Sequence, residues 1–157
     1  MADGIWDVWC SDVASKLAVH SRREVGRGCL MWNGAIKRSK PTAQPYGLLR
    51  VRTAPVRIGV TARKAYRAHI LSYVLANPGV RDVLLRYKNF DISHLCHRSL
   101  CIEASHLSAE PRQVNNSRRS CHIASVCGGH AGFSVINACS LSCGELVNEW
   151  PIRALFW

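Results

Sequence analysis

Cys96, Cys101 and His106 follow one another at steps of five residues, with His94 two residues ahead of the first and Asn115 nine beyond the last. Thiolate sulfur and imidazole nitrogen are zinc ligands, and a structural zinc closes with four of them. Cys29, far upstream, is the best candidate for the fourth, and so distant a ligand would couple metal binding to folding. A second set follows in Cys121, Cys127, His130 and either Cys139 or Cys143, with Cys139 preferred and His122 a further possibility. Two residues remain once the ligands are assigned. A neutral imidazole at His94 can take a proton from water, and the amide oxygen of Asn115 can help hold a hard divalent cation against a phosphate.

The elements that must position them are short. Alternation places Phe90, Ile92, His94 and Cys96 on one face of a strand. A second short strand is expected around Leu107, and a helix over 111–119 has proline in its first turn and carries Asn115. Together they make a β-β-α unit. Upstream, Ile5, Trp6, Trp9, Val13 and Leu17 recur at helical spacing, predicting an amphipathic helix with Cys10 a buried thiol and His20 a plain terminal histidine. A strand over 28–34 follows, and segments 46–52 and 56–60 predict a hairpin. Arg50 and Arg52 share one face of its first strand. Thr61 is placed to cap a helix over 62–76, with Ala65, Ile70, Tyr73 and Val74 inward and Asn77-Pro78-Gly79 as its stop. His69 on that helix has a core reading as well as a site reading. The chain divides into an N-terminal helix (1–21), a basic antiparallel sheet (28–67), a core with the first metal (90–121), a second metal loop (121–143) and an apolar tail (144–157).

Charge points to the partner. The chain has 21 Lys and Arg against 10 Asp and Glu, a formal +11. Twelve of the basic residues lie between Arg22 and Arg67 beside one acid, Glu24, and the remainder balances. A positive surface that concentrated suits a polyanion, and binding to it should weaken steeply with salt. A basic β-ribbon fits the DNA major groove. No basic stretch followed by an apolar one opens the chain, and no apolar run reaches membrane length. Eight cysteines interleaved with histidines favour zinc in a reducing compartment over disulfides. An intracellular, nuclear protein is expected.

Ser93-His94-Leu95-Cys96, the equal steps to Cys101 and His106, Glu110, Asn115 and the basic residues before Cys121 together resemble the His-Cys box homing endonucleases of the ββα-metal, HNH-type nuclease superfamily. Gly28-Cys-Leu-Met-Trp-Asn-Gly34, Tyr46-Gly47 and Ala68-His69 resemble the same pattern, so the likeness runs from Cys29 to Cys139. The resemblance implies a small zinc-stabilised α+β ββα-metal fold with an antiparallel DNA-binding sheet and few helices. It implies a site-specific endonuclease with His94 as general base, Asn115 as the side-chain ligand of one Mg²⁺, and two structural zincs per chain. The zincs would be held by Cys29, Cys96, Cys101 and His106, and by Cys121, Cys127, His130 and Cys139. An arginine from the sheet, Arg50 or Arg52, would meet the phosphate, and His69 matches a histidine near the active site. The partner would be double-stranded DNA, cut by a homodimer whose tails wrap one another. The glycine-rich gap between His130 and Cys139 departs from the family pattern.

Two rival readings remain. A zinc-dependent DNA-binding protein without nuclease activity needs the sheet and the ligands but not His94 and Asn115 together. A secreted disulfide-linked protein would show paired rather than free thiols.

Overall fold

Trp6, Trp9, Val13 and Leu17 recur at three- and four-residue steps, and burying them is what fixes the first element against the rest. A computed structural model describes residues 2–26, 28–41, 43–54, 62–80, 90–113 and 115–116. Expectations over 56–60, 83–85, 117–119, 121–143 and 144–157 lie outside them. Helix α1 spans Ala2–Val19 and buries all four of those side chains, with Trp6 and Trp9 in an edge contact at 5.6 Å. The indole N–H of Trp9 donates to the Arg52 carbonyl at 2.9 Å, satisfying the polar end of a buried aromatic.

Three small antiparallel sheets follow. Strands β1 (Ser21–Arg23) and β2 (Leu30–Trp32) pair as a hairpin. Strands β3 (Ile36–Lys37), β4 (Tyr46–Arg52) and β5 (Arg63–Arg67) form the second sheet in that order. Strands β6 (Phe90–His94) and β7 (Leu107–Pro111) form the third. Helix α2 (Ala68–Ala76) packs its buried Ala68, His69, Leu71 and Val74 against β4, β5 and the third sheet. The core joins α1, β4 and α2 through Trp32, Leu49, Val51, Ala54 and Ile102. Gly47 is required there, because a Cβ on it would sit 2.5 Å from the Trp32 ring. Among the described residues, helices α1 and α2 with antiparallel sheets make an α+β fold consistent with a ββα-metal fold. No helix among the described residues is long and apolar enough to cross a membrane.

Three expectations need correction. The partner of β4 is Arg63–Arg67, a segment expected to be helical, so α2 begins at Ala68 rather than Ala62 and Thr61 is not its cap. The cause is tertiary: Tyr66 lies opposite Leu49 and its hydroxyl accepts the Ala54 N–H at 3.1 Å, contacts only an extended chain can make. Ala65 is accordingly exposed, and Leu71 takes the buried place assigned to Ile70. Pro111 ends β7 opposite Phe90, and helical backbone starts at Arg112. The strand bearing His94 ends at that residue, so Cys96 lies in the turn beyond it.

Candidate metal centre and catalytic site

The β1–β2 hairpin carries Cys29 to the loop that follows β6. Strand β2 is bonded to that loop on both sides: Trp32 N donates to Leu100 O at 2.8 Å, and Ile102 N to Leu30 O at 2.7 Å. Arg98 pairs with Glu24 at 2.6 Å and Arg23 with Glu103 at 3.2 Å, so each segment contributes one cation and one anion. The loop turns tightly through His97, whose φ is 57°, and closes with a 3-10 turn over Ala104–His106. Gly28 adopts φ +65° beside the His106 ring. A larger residue there would be strained.

These turns bring Cys29, Cys96, Cys101 and His106 together, with one ligand atom from each lying within 4.8 Å of all the others. His106 Nδ1 is 3.5 Å from Cys29 Sγ and 3.6 Å from Cys101 Sγ. Tetrahedral zinc bonds to sulfur and nitrogen require an S···N edge of about 3.5 Å. The cluster is a Cys₃His zinc-binding site, and Cys29 is its long-range member. Crowding sets the protonation of the thiols: a hydrogen bond from Cys101 holds Cys96 down at about 5, while Cys101 is pushed up as that donor and Cys29 is pushed up by burial. Crowded thiols resist ionising together unless a cation sits among them.

His94 stands two residues before this cluster. Its Nε2 lies 3.0 Å from the carbonyl oxygen of Cys101. A carbonyl only accepts, so that nitrogen carries the proton and Nδ1 carries the lone pair. Burial lowers its pKa to about 4, with the charge of Arg67 acting in the same direction against the Cys101 bond. The ring is therefore neutral at pH 7. His69, on the first turn of α2, packs 4.5 Å from it and is 2% exposed. Burial, then the neighbouring His94 and Arg67, pull His69 well below the usual histidine range as well. Its Nδ1 is buried with no hydrogen-bond partner among the described residues. Tyr46 closes the group, with its ring 5.5 Å from His69 and 6.2 Å from His94.

Asn115 lies in the helical backbone after β7, half-buried, and its Nδ2 donates to Asp91 Oδ2 at 3.2 Å. It is thereby tied to the strand that carries His94. Arg50 and Arg52 are exposed on β4, and opposite residues of an antiparallel pair share a face. The register therefore puts Arg50, Arg52, Arg63 and Arg67 on one face with Tyr46. The sequence pattern puts Arg67 on a helix, turned with Arg63 and Lys64 towards solvent or phosphate, whereas it ends strand β5. Its guanidinium lies 4.7 Å over the Tyr46 ring, at the end of the face nearest the two histidines. Cys121, Cys127, His130, Cys139, Cys143 and His122 lie outside the described residues.

Residues 29–153, most of the chain, match a family model described as the zinc-binding loop region of homing endonuclease. No curated protein and no solved structure matches.

Proposed function

This chain belongs to the family that carries the homing-endonuclease zinc-binding loop, which gives it a nuclease-type function; on that premise we propose that it is a Mg²⁺-dependent, site-specific DNA endonuclease. His94 is the general base. The observation that carries this reading is the Nε2 bond to the Cys101 carbonyl, which holds the ring in the tautomer with a free Nδ1 lone pair. A base needs both the correct nitrogen and the neutral form. The carbonyl comes from a zinc ligand, so the metal cluster that braces the loop also orients the base.

Asn115 suits a hard cation, because its amide N–H group is already engaged by Asp91 and its oxygen is left to bind. Mg²⁺ bound there supplies Lewis-acid stabilisation of charge on the departing 3′ oxygen. A single neutral amide is a weak site alone, so the DNA phosphate completes it. Arg67, seated on Tyr46 with its charge felt by both histidines, meets the scissile phosphate; Arg50, Arg52 and Arg63 continue the same face along the duplex. His69 completes the pocket, since an orphaned nitrogen in a purely structural core would cost about 1–3 kcal/mol.

The family likeness supports the rest of the reading: a second zinc on Cys121, Cys127, His130 and Cys139, a homodimer on a near-palindromic site, homing activity and a nuclear location. The test uses purified, zinc-loaded protein incubated with a randomised plasmid library with and without Mg²⁺, followed by sequencing of the ends. Cutting at a recurrent sequence only with Mg²⁺ is expected. Retention of particular plasmids without any cutting would identify a DNA-binding protein instead.

A further inference from the structure

We infer that Asp91 is a positioning residue, which turns the oxygen of Asn115 toward the cation and sets how tightly that cation is held. The inference rests on the nuclease reading above and adds a residue to it.

The two ends of an amide have nearly the same shape, and only the oxygen can bind a cation. Something must therefore decide which end is presented. A carboxylate offers acceptors alone. With Asn115 Nδ2 donating to Asp91 Oδ2 at 3.2 Å, the reverse rotamer would set oxygen against oxygen. Asp91 is itself clamped from the same stretch of helix. Arg112 reaches both of its oxygens, Nε to Oδ2 and Nη2 to Oδ1, each at 3.4 Å. Arg112 and Asn115 are three residues apart, so they share one side of the helical turn, and both converge on one carboxylate.

The strand links this group to the base. Asp91 is the second residue of β6 and His94 its last, so about 10 Å of extended chain separates them. The two side chains leave opposite faces of the strand, so β6 carries the base at its end and, through Asp91, anchors the helical turn that bears the ligand amide. Partners that orient a metal ligand typically change metal affinity or activity by about 10–100-fold when removed.

A simple pin between strand and helix would contain the same bonds, so the test must read the cation itself. Mn²⁺ is titrated into the full-length, zinc-loaded His94→Ala protein bound to its target duplex, with free Mn²⁺ followed by electron paramagnetic resonance. Adding Asp91→Ala should raise the half-saturating Mn²⁺ about tenfold, while DNA affinity of the zinc-loaded protein without added Mn²⁺ or Mg²⁺ changes less than twofold. Asp91→Asn keeps an acceptor and the size but loses the charge, and should fall between. Arg112→Ala leaves the Asp91–Asn115 bond in place and should shift Mn²⁺ little, although a mere pin would loosen as much as with Asp91→Ala.

Failure of this inference and failure of the nuclease reading are distinguishable. Unchanged Mn²⁺ half-saturation in Asp91→Ala, with wild-type cutting intact and Asn115→Ala losing Mn²⁺, overturns the role of Asp91 alone. A wild-type protein that cuts no DNA with Mg²⁺ overturns the nuclease reading and this inference with it.

Discussion

The β4–β5 ribbon and the β6–β7 ribbon are both two-stranded antiparallel pairings of five residues, yet they are held in different ways. The first rests on apolar burial: Leu49 and Val51 sit under α1 and α2, and the opposite face is free to carry arginines. The second has buried polar positions in Ser93, Ser108 and Glu110, and its connection is the loop that carries Cys96, Cys101 and His106. A two-stranded ribbon such as β6–β7 is marginal in water alone. A metal cluster supports it, whereas β3 and apolar packing support the β4–β5 pairing. The difference leaves the arginine face on a surface independent of metal, and leaves His94, the proposed base, where zinc ligation sets its geometry.

The largest effect that separates the two regions is zinc removal. Structural zinc sites contribute about 10–16 kcal/mol in small zinc domains, as much as the whole stability of an ordinary domain. Cys101→Ser or a strong chelator should therefore release zinc and abolish the cooperative thermal transition, as followed by circular dichroism. Retention of the wild-type transition without zinc would place the β6–β7 region on the same footing as the packed ribbon. Next in size is the core of the packed region: Trp9→Ala should cost about 3–5 kcal/mol in denaturant unfolding while zinc stoichiometry stays unchanged in the folded protein.

Much of this division could be read from residue types. The four zinc ligands were legible, Cys29 included, because thiolate and imidazole chemistry demands a set of four and three were evenly spaced. Strand β4 was legible from its alternation of apolar and basic residues. Strand β5 was not, because four of its five side chains are exposed and no apolar pattern marks it. Its pairing depends on Tyr66 reaching Leu49 and Ala54, which only the assembled fold reveals. Losing β5 also hid Arg67, whose position beside Tyr46 follows from the strand ending one residue before α2. Strand β1 escaped notice because Ser-Arg-Arg contains no apolar residue, although its hairpin delivers Cys29. The role of Asp91 is invisible in the sequence, since nothing there connects it to a residue 24 positions later.

A smaller effect comes from pH. His69 is held neutral by burial, next to His94 and Arg67, with Tyr46 closing the contact. Its folded pKa lies below the ordinary 6.5, so its contribution is complete above that pH and falls as pH drops through and below it, where the unfolded chain takes the proton first. The melting temperature should decline from pH 7 to pH 5, and His69→Leu should flatten that decline, with protonation of the zinc ligands common to both proteins. Parallel curves would remove His69 from the acid sensitivity.

The most direct measurement compares wild-type and His94→Ala proteins, both zinc-loaded, on the selected target. The variant should bind the duplex within a few-fold of wild type when no Mg²⁺ is added but cut about 10²–10⁴-fold more slowly with Mg²⁺. Cleavage by His94→Ala at the wild-type rate would contradict the general-base role.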